Sequence, residues 1–336
     1  MRSEWLIQEE NHTINMNVSP YTCIMDNHSF NEQNFLERLT DFFQPRSKMK
    51  DQLKVIDIAN DEEEITHNQA QFFMISNMDL LEEVKLGAKS LFKQQIKNDF
   101  SRLPEFHGYL QTINTLIEDV VQLTDTTIPL KSKQFTSESF MKSMEVAFST
   151  EEEIDYRFAY ERIRKLFPYY IKSVKDSSKA APYIIYFYPE HLLSPKEQEE
   201  MKKMLKSFSN QITIIVLSKS KYFLAENLFE NNMFIWKKQQ FDEELIEDMV
   251  WNAPLDYSKE EIYEAFSNII QYYAENLETT PVVSNYKIAD IAVFKEIELY
   301  VLIYFMNKQH FDFQLDLQWE VMSEAMKQFT KTYAEI

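Results

Sequence analysis

The chain has 336 residues, 44% of them hydrophobic and 14% aromatic, a length and composition that allow a substantial buried core and suggest two domains. With a single cysteine, Cys23, it forms no intrachain disulfide and builds no multi-cysteine zinc site. No apolar run of about 18 residues is present, and Met1 to Trp5 carries an acid without an apolar stretch. A cytoplasmic protein without a membrane span is therefore expected.

Only Gly87 and Gly108 are glycines, far below the usual ~7%. The net charge of −19 argues against nucleic acid until its distribution is considered. Residues 241–336 hold 19 acids and 6 bases, which leaves −6 for the rest of the chain. From Arg157 to Lys179 the sign reverses, with seven bases against Glu161 and Asp176.

In chain order, His12 to Val18 alternates as a half-buried strand does, and Thr22 to Met25 is a short apolar strand. Asp26, Asn27 and Ser29 are capping residue types before a helix from Phe30 to Phe43, which Pro45 ends. Leu53 to Ile58 and Gln71 to Ser76 read as further strands. Leu81 to Arg102 reads as one helix, and Pro104 opens another that runs to about Leu123 with Leu110, Ile113, Leu116, Ile117, Val120 and Val121 on one side. Thr124 to Lys133 reads as a loop, followed by helices from Ser137 to about Phe148 and from Glu151 to about Val174.

The clearest unit comes next. Pro182 to Tyr188 is a continuous apolar strand, Ser194-Pro195-Lys196-Glu197 is a capping box with proline at the first helical position, and Gln211 to Leu217 is another apolar strand. Strand, helix and strand over this length form a crossover unit of a parallel sheet covered on both faces. Met233 to Trp236 suits an edge strand. Ser258 and Glu261 form a second capping box, and three long helices are expected near 258–277, 286–308 and 313–334. Most of the ladder of Phe294, Ile297, Val301, Leu302 and Phe305 is assigned to the core, and part to an oligomer contact.

The expected fold is thus α/β: a head with a mainly parallel sheet, an inserted helical leg and an all-α C-terminal extension. The boundaries are 1–100 and 180–240 for the two parts of the head, 101–179 for the leg and 241–336 for the acidic extension.

Catalytic signatures are missing. The turn Met25-Asp26-Asn27-His28-Ser29 stands where a phosphate-binding loop would stand, yet it has no glycine to let N–H groups converge and no lysine, while Asp26 repels phosphate. The six histidines are scattered, no G-x-S-x-G elbow occurs, and Cys23 lies in an apolar strand. The chain is read as non-enzymatic, with a degenerate P-loop-like head.

In this order of elements the chain resembles the type II-A CRISPR-associated adaptation proteins of the Csn-two family, in its long form. The similar stretches are Tyr21 to Phe43, Leu53 to Ile58, Gln71 to Leu81, Pro104 to Val121 and Pro182 to Trp236. The resemblance implies a homotetrameric ring that holds double-stranded DNA ends, sequence-independently, and supports spacer acquisition in antiviral defence. It also implies two partners, the CRISPR integrase and the RNA-guided effector nuclease, and calcium as the one cofactor to be considered. The calcium chemistry carries over poorly, because Thr124 to Glu138 keeps few carboxylates and contains Lys131 and Lys133. Glu118, Asp119 and Asp125 remain as weak candidate ligands, against the plainer reading of a solvated helix end.

Duplex binding without sequence preference rests on lysine and arginine neutralising phosphates. Two stripes qualify. Lys85, Lys89, Lys93 and Lys97 recur every four residues and would form a ridge about 18 Å long on a helix. The second comprises Arg157, Arg162, Arg164, Lys165, Lys172 and Lys175, with Lys131, Lys133 and Lys142 in the same insert. Two other readings stay open: a degenerate P-loop-type enzyme that still binds nucleotide, and a protein–protein scaffold without nucleic-acid binding.

Overall fold

The computed structural model describes all residues except 1–2, 10–11, 28–30, 61, 89, 125–127, 129, 147–157, 277–278 and 334–336, and the side chains of 273–276. The chain divides into two compact units, residues 1–76 together with 178–336, and residues 77–177. The all-helical unit therefore begins at Asn77, whereas the sequence reading starts the leg at 101.

The first unit is a mixed α/β body. Strands β1 (Ser3–Glu9), β2 (His12–Val18), β4 (Leu53–Asp57) and β5 (Glu63–Glu64) form an antiparallel sheet in the order β2-β1-β4-β5. The main sheet has six strands in the order β10-β9-β3-β8-β7-β6, made of β3 (Tyr21–Met25), β6 (Ala70–Ser76), β7 (Ala181–Phe187), β8 (Thr213–Ser218), β9 (Asn231–Ile235) and β10 (Lys238–Gln239). It is parallel except for the β9–β10 hairpin. Helix α1 (Glu32–Phe42) leaves β3, its Phe35, Leu36, Leu39 and Phe42 buried against both sheets. Trp5 and Phe43 join Phe72 and Tyr183 in one aromatic cluster, with Phe72 stacked on Phe43 at 4.7 Å and on Tyr183 at 4.8 Å. The crossover helix α7 (Pro195–Phe208) starts at Ser194 with both halves of its capping box made. Cys23 is buried in β3, which pushes its thiol pKa up.

The C-terminal third corrects the expectation of a purely helical extension. Helices α8 (Glu243–Trp251) and α9 (Lys259–Asn276) are present, the latter capped by Ser258 and Glu261. The helix expected from 286 covers only α10 (Glu296–Lys308), and the last is shortened to α11 (Glu324–Tyr333). Between them β11 (Val282–Ser284), β12 (Ile291–Ala292) and β13 (Gln314–Asp316) form a small parallel sheet. β-branched Val282, Val283 and Ile291 favour strand, and Asp290 accepts a hydrogen bond from Val282 N at 2.9 Å that closes the turn. Val301, Leu302 and Phe305 are core, but Phe294 precedes the helix and is exposed.

The second unit holds α2 (Asn77–Glu83), α3 (Leu91–Ser101), α4 (Pro104–Gln122), α5 (Ser137–Lys142) and α6 (Ala159–Ser177). Phe100, Phe106 and Phe140 meet with ring centroids 5.2–5.4 Å apart and join α3, α4 and α5. Phe92 packs on Tyr169 of α6 at 5.6 Å. Asn114 bonds both backbone groups of Phe135, at 2.6 Å and 3.0 Å, which anchors the segment before α5 to α4.

Candidate nucleic-acid interface

At the carboxyl end of β3 the main chain turns into α1 beside the ends of β7 and β8, the switch point where parallel sheets bind ligands. Asn31 caps α1 by accepting from Asn34 N at 3.0 Å. A cleft of about 540 Å³ opens there, lined by Asp26, Asn31, Glu32, Gln33, Tyr188, His191 and Lys219. Tyr188, with φ at 45°, is held in the left-handed region, and its hydroxyl donates to Asp26 Oδ2 at 2.7 Å. Lys219 Nζ stands 4.0 Å from the same oxygen.

Glu32, the first residue of α1, is 1% exposed, and among the described residues neither carboxyl oxygen has a hydrogen-bond partner of normal geometry. Burial, with a smaller contribution from the nearby Asp26 carboxylate, raises its pKa to about 8. Burial and the bond to Asp26 also raise the Tyr188 phenol above its usual value. The position where a phosphate would sit is thus occupied by two carboxyl groups, of which Glu32 is protonated at neutral pH. Sequence reasoning found Asp26 but missed Glu32, because a glutamate in a first helical turn is unremarkable without its burial.

The first lysine stripe does not exist as a helix ridge. The chain breaks between α2 and α3: Leu86 has φ 49°, Ser90 caps α3 by accepting from Lys93 N at 2.9 Å, and Glu83 accepts from Ser90 Oγ at 2.6 Å and Phe92 N at 3.0 Å. Lys85 is in the turn, paired with Glu82 at 2.5 Å, and Lys89 lies outside the described residues. Lys93 and Lys97 do share α3, but both pair with Glu138, at 3.2 Å and 3.4 Å, and the Lys93 side chain is only 13% exposed.

The second stripe fares differently. On α6, Ala159, Ile163, Leu166, Phe167, Tyr170 and Val174 form the buried face, while Arg164, Lys165, Lys172 and Lys175 are exposed. Lys165, Lys172 and Lys175 lie along one side over about 15 Å. Lys172 approaches Asp99 at 3.7 Å and Arg164 pairs with Glu161 at 2.7 Å. Arg162 is half-buried, and Arg157 lies outside the described residues. Lys131, Lys133 and Lys142 are exposed, the first two in the segment between α4 and α5 and the third closing α5.

Helix α4 buries only Phe106. Tyr109, Leu116, Val120 and Leu123 are exposed, and with half-buried Ile113 they are spaced 4, 3, 4 and 3 residues apart. That is the spacing of a coiled-coil seam, here left exposed by the described residues of its own unit. Glu118 and Asp119 are exposed at consecutive positions of the same helix, and Asp125 lies outside the described residues. Calcium needs six to eight oxygens, and among the described residues no group of three or more His, Cys, Asp or Glu could hold a metal ion. The described residues therefore do not fit calcium. No helix among the described residues is long and apolar enough to cross a membrane.

No protein-family model and no curated protein matches the chain. Solved structures do match it. Stu0660 of Streptococcus thermophilus is similar in fold, with a TM-score of 0.62 over 97% of this chain and 99% of that one, at 14% sequence identity. The C-terminal third is therefore part of the shared fold and not an addition to it. The ADP form of MJ1267, an ATP-binding cassette of an ABC transporter, aligns over 75% of this chain and 94% of that one with a TM-score of 0.35 and 11% identity, and nothing is carried over from it.

Proposed function

We propose that this protein is a non-catalytic binder of double-stranded DNA ends, acting as a ring-shaped homo-oligomer in CRISPR spacer acquisition. The observation that carries the reading is the exposed face of α6, where Lys165, Lys172 and Lys175 stand clear of a buried apolar face in a chain of net charge −19. An acidic protein that concentrates bases on one helix face directs a polyanion to that face and repels it elsewhere. The exposed seam of α4 supports assembly with further copies, since four exposed apolar side chains in coiled-coil register gain by meeting a like helix. The resemblance to the Csn-two family supplies the biological setting, including the integrase and the RNA-guided nuclease as partners.

Nucleotide binding at the head of α1 meets the Asp26 carboxylate, which opposes a phosphate there, and a turn without glycine or lysine. The test is fluorescence anisotropy with a labelled blunt duplex of random sequence. Wild-type protein binds and loses affinity steeply with salt, while Lys165→Gln, Lys172→Gln and Lys175→Gln together weaken binding at least tenfold. Equal affinity of wild type and triple variant contradicts the proposal.

A further inference from the structure

Strands β9 and β10 are joined by two residues, Trp236 and Lys237, with φ of 53° and 66°. Two-residue hairpin turns with positive φ at both positions normally use Asn-Gly or Asp-Gly, and L side chains rarely adopt this geometry. Here the turn lifts a tryptophan that is 86% exposed. The tip is firmly held. Gln239 Oε1 accepts from Met233 N at 3.1 Å and Gln240 N at 2.9 Å, and its amide donates to Asn232 Oδ1 at 2.6 Å. Asn232, fully buried, bonds both backbone groups of Asn17 at 2.9 Å. A rigidly presented aromatic side chain costs little ordering entropy on binding, which is the property of interface anchors.

Two clefts flank the tip, of about 410 Å³ and 610 Å³. The charge around Trp236 selects the partner. Lys308 is paired with Asp248 at 2.5 Å; Lys237 stands 3.6 Å from Glu9, which Arg38 also pairs, and Glu243 stands 3.7 Å from Lys259, which also meets Glu247 at 3.1 Å. Glu4, Asp242, Glu243 and Glu244 then stand in the cleft walls against Lys237 and Lys238. An exposed indole face beside these carboxylates suits a cation, arginine above all, which stacks on the ring and pairs with the acids. The same acids repel phosphate.

We infer that the Trp236 tip is a docking surface for a basic protein segment, with an arginine over the indole and its charge met by Glu4, Asp242 and Glu244. The surface belongs to residues 1–76 with 178–336 and does not depend on the DNA reading of the helical unit.

The test uses full-length protein labelled with 5-fluorotryptophan, whose four tryptophans give four fluorine signals, Trp236→Phe identifying one of them. An acetylated, amidated Gly-Arg-Gly-Arg-Gly peptide is titrated, with its citrulline counterpart as the neutral control. The Trp236 signal is expected to move saturably with the arginine peptide alone. In Glu4→Gln/Glu244→Gln protein the midpoint should rise at least fivefold with the other signals unmoved. A static Trp236 signal overturns the inference, as does an equal shift of the signal from Trp251, which is 87% exposed and reports general attraction. Movement with a duplex oligonucleotide in place of the peptide assigns the tip to nucleic acid and also overturns it.

Discussion

Glu32 opens α1 with both carboxyl oxygens buried and, among the described residues, without a hydrogen-bond partner of normal geometry, next to Asp26. Its pKa of about 8 in the folded chain compares with about 4.3 when unfolded. Between those values the native state holds a proton that the unfolded chain releases, so this residue's contribution to stability is present below about pH 4.3 and is lost as pH rises through 8. Glu32→Gln keeps the shape and removes the titration. Urea unfolding at pH 5, 7 and 9 should show its advantage over wild type growing through that window by a few kcal/mol, roughly, and levelling above pH 8. A gap independent of pH contradicts the assignment. Asn232 is the opposite case, a buried amide with every group used. Asn232→Ala leaves Asn17 and Gln239 without their partner and should cost about 2–4 kcal/mol by the same unfolding measurement. At this scale the sequence revealed the residue types that repel phosphate in the α1 turn. Burial of Glu32 was hidden, because it depends on the ends of β7 and β8, more than 150 residues away in the chain.

Helix periodicity was readable where a cap or proline marks the boundary. Pro104 begins α4 and Ser194 begins α7 as their chemistry requires. Four lysines at intervals of four were a poorer guide, since Ser90 competes as a helix cap and divides the run. For α4 the apolar positions were evident but not their exposure, which depends on the lack of a covering element among the described residues. Leu116→Glu with Leu123→Glu changes two exposed seam positions and leaves buried Phe106 alone. Light scattering should report a smaller assembly with an unchanged circular-dichroism spectrum, whereas an unchanged mass would remove α4 from the assembly surface. The α6 variant should lower the slope of log K against log salt by about 0.9 for each phosphate it no longer neutralises.

At the scale of the whole molecule, the order of strands and helices pointed to a mixed α/β chain and the charge count to an acidic end, while the apolar runs at β7 and β8 pointed to a parallel sheet. The strand order was not readable, because β3 lies between β8 and β9, which follow it by nearly 200 residues and pair through non-local hydrogen bonds. The small β11-β12-β13 sheet was missed for a related reason: two- and three-residue strands carry too few positions to display a period. The near-complete overlap with Stu0660 places all three parts of the chain in one shared fold. On the proposed reading, its acidic C-terminal third, net −13, would keep polyanions from that part of the surface.

The central claim, a ring entered from a DNA end, is tested most directly by competing linear duplex against covalently closed circular duplex of the same sequence over a salt series. The account predicts preferential binding of the linear form, weakening steeply as salt rises. Equal binding of the two forms would contradict it, because surface association needs no end.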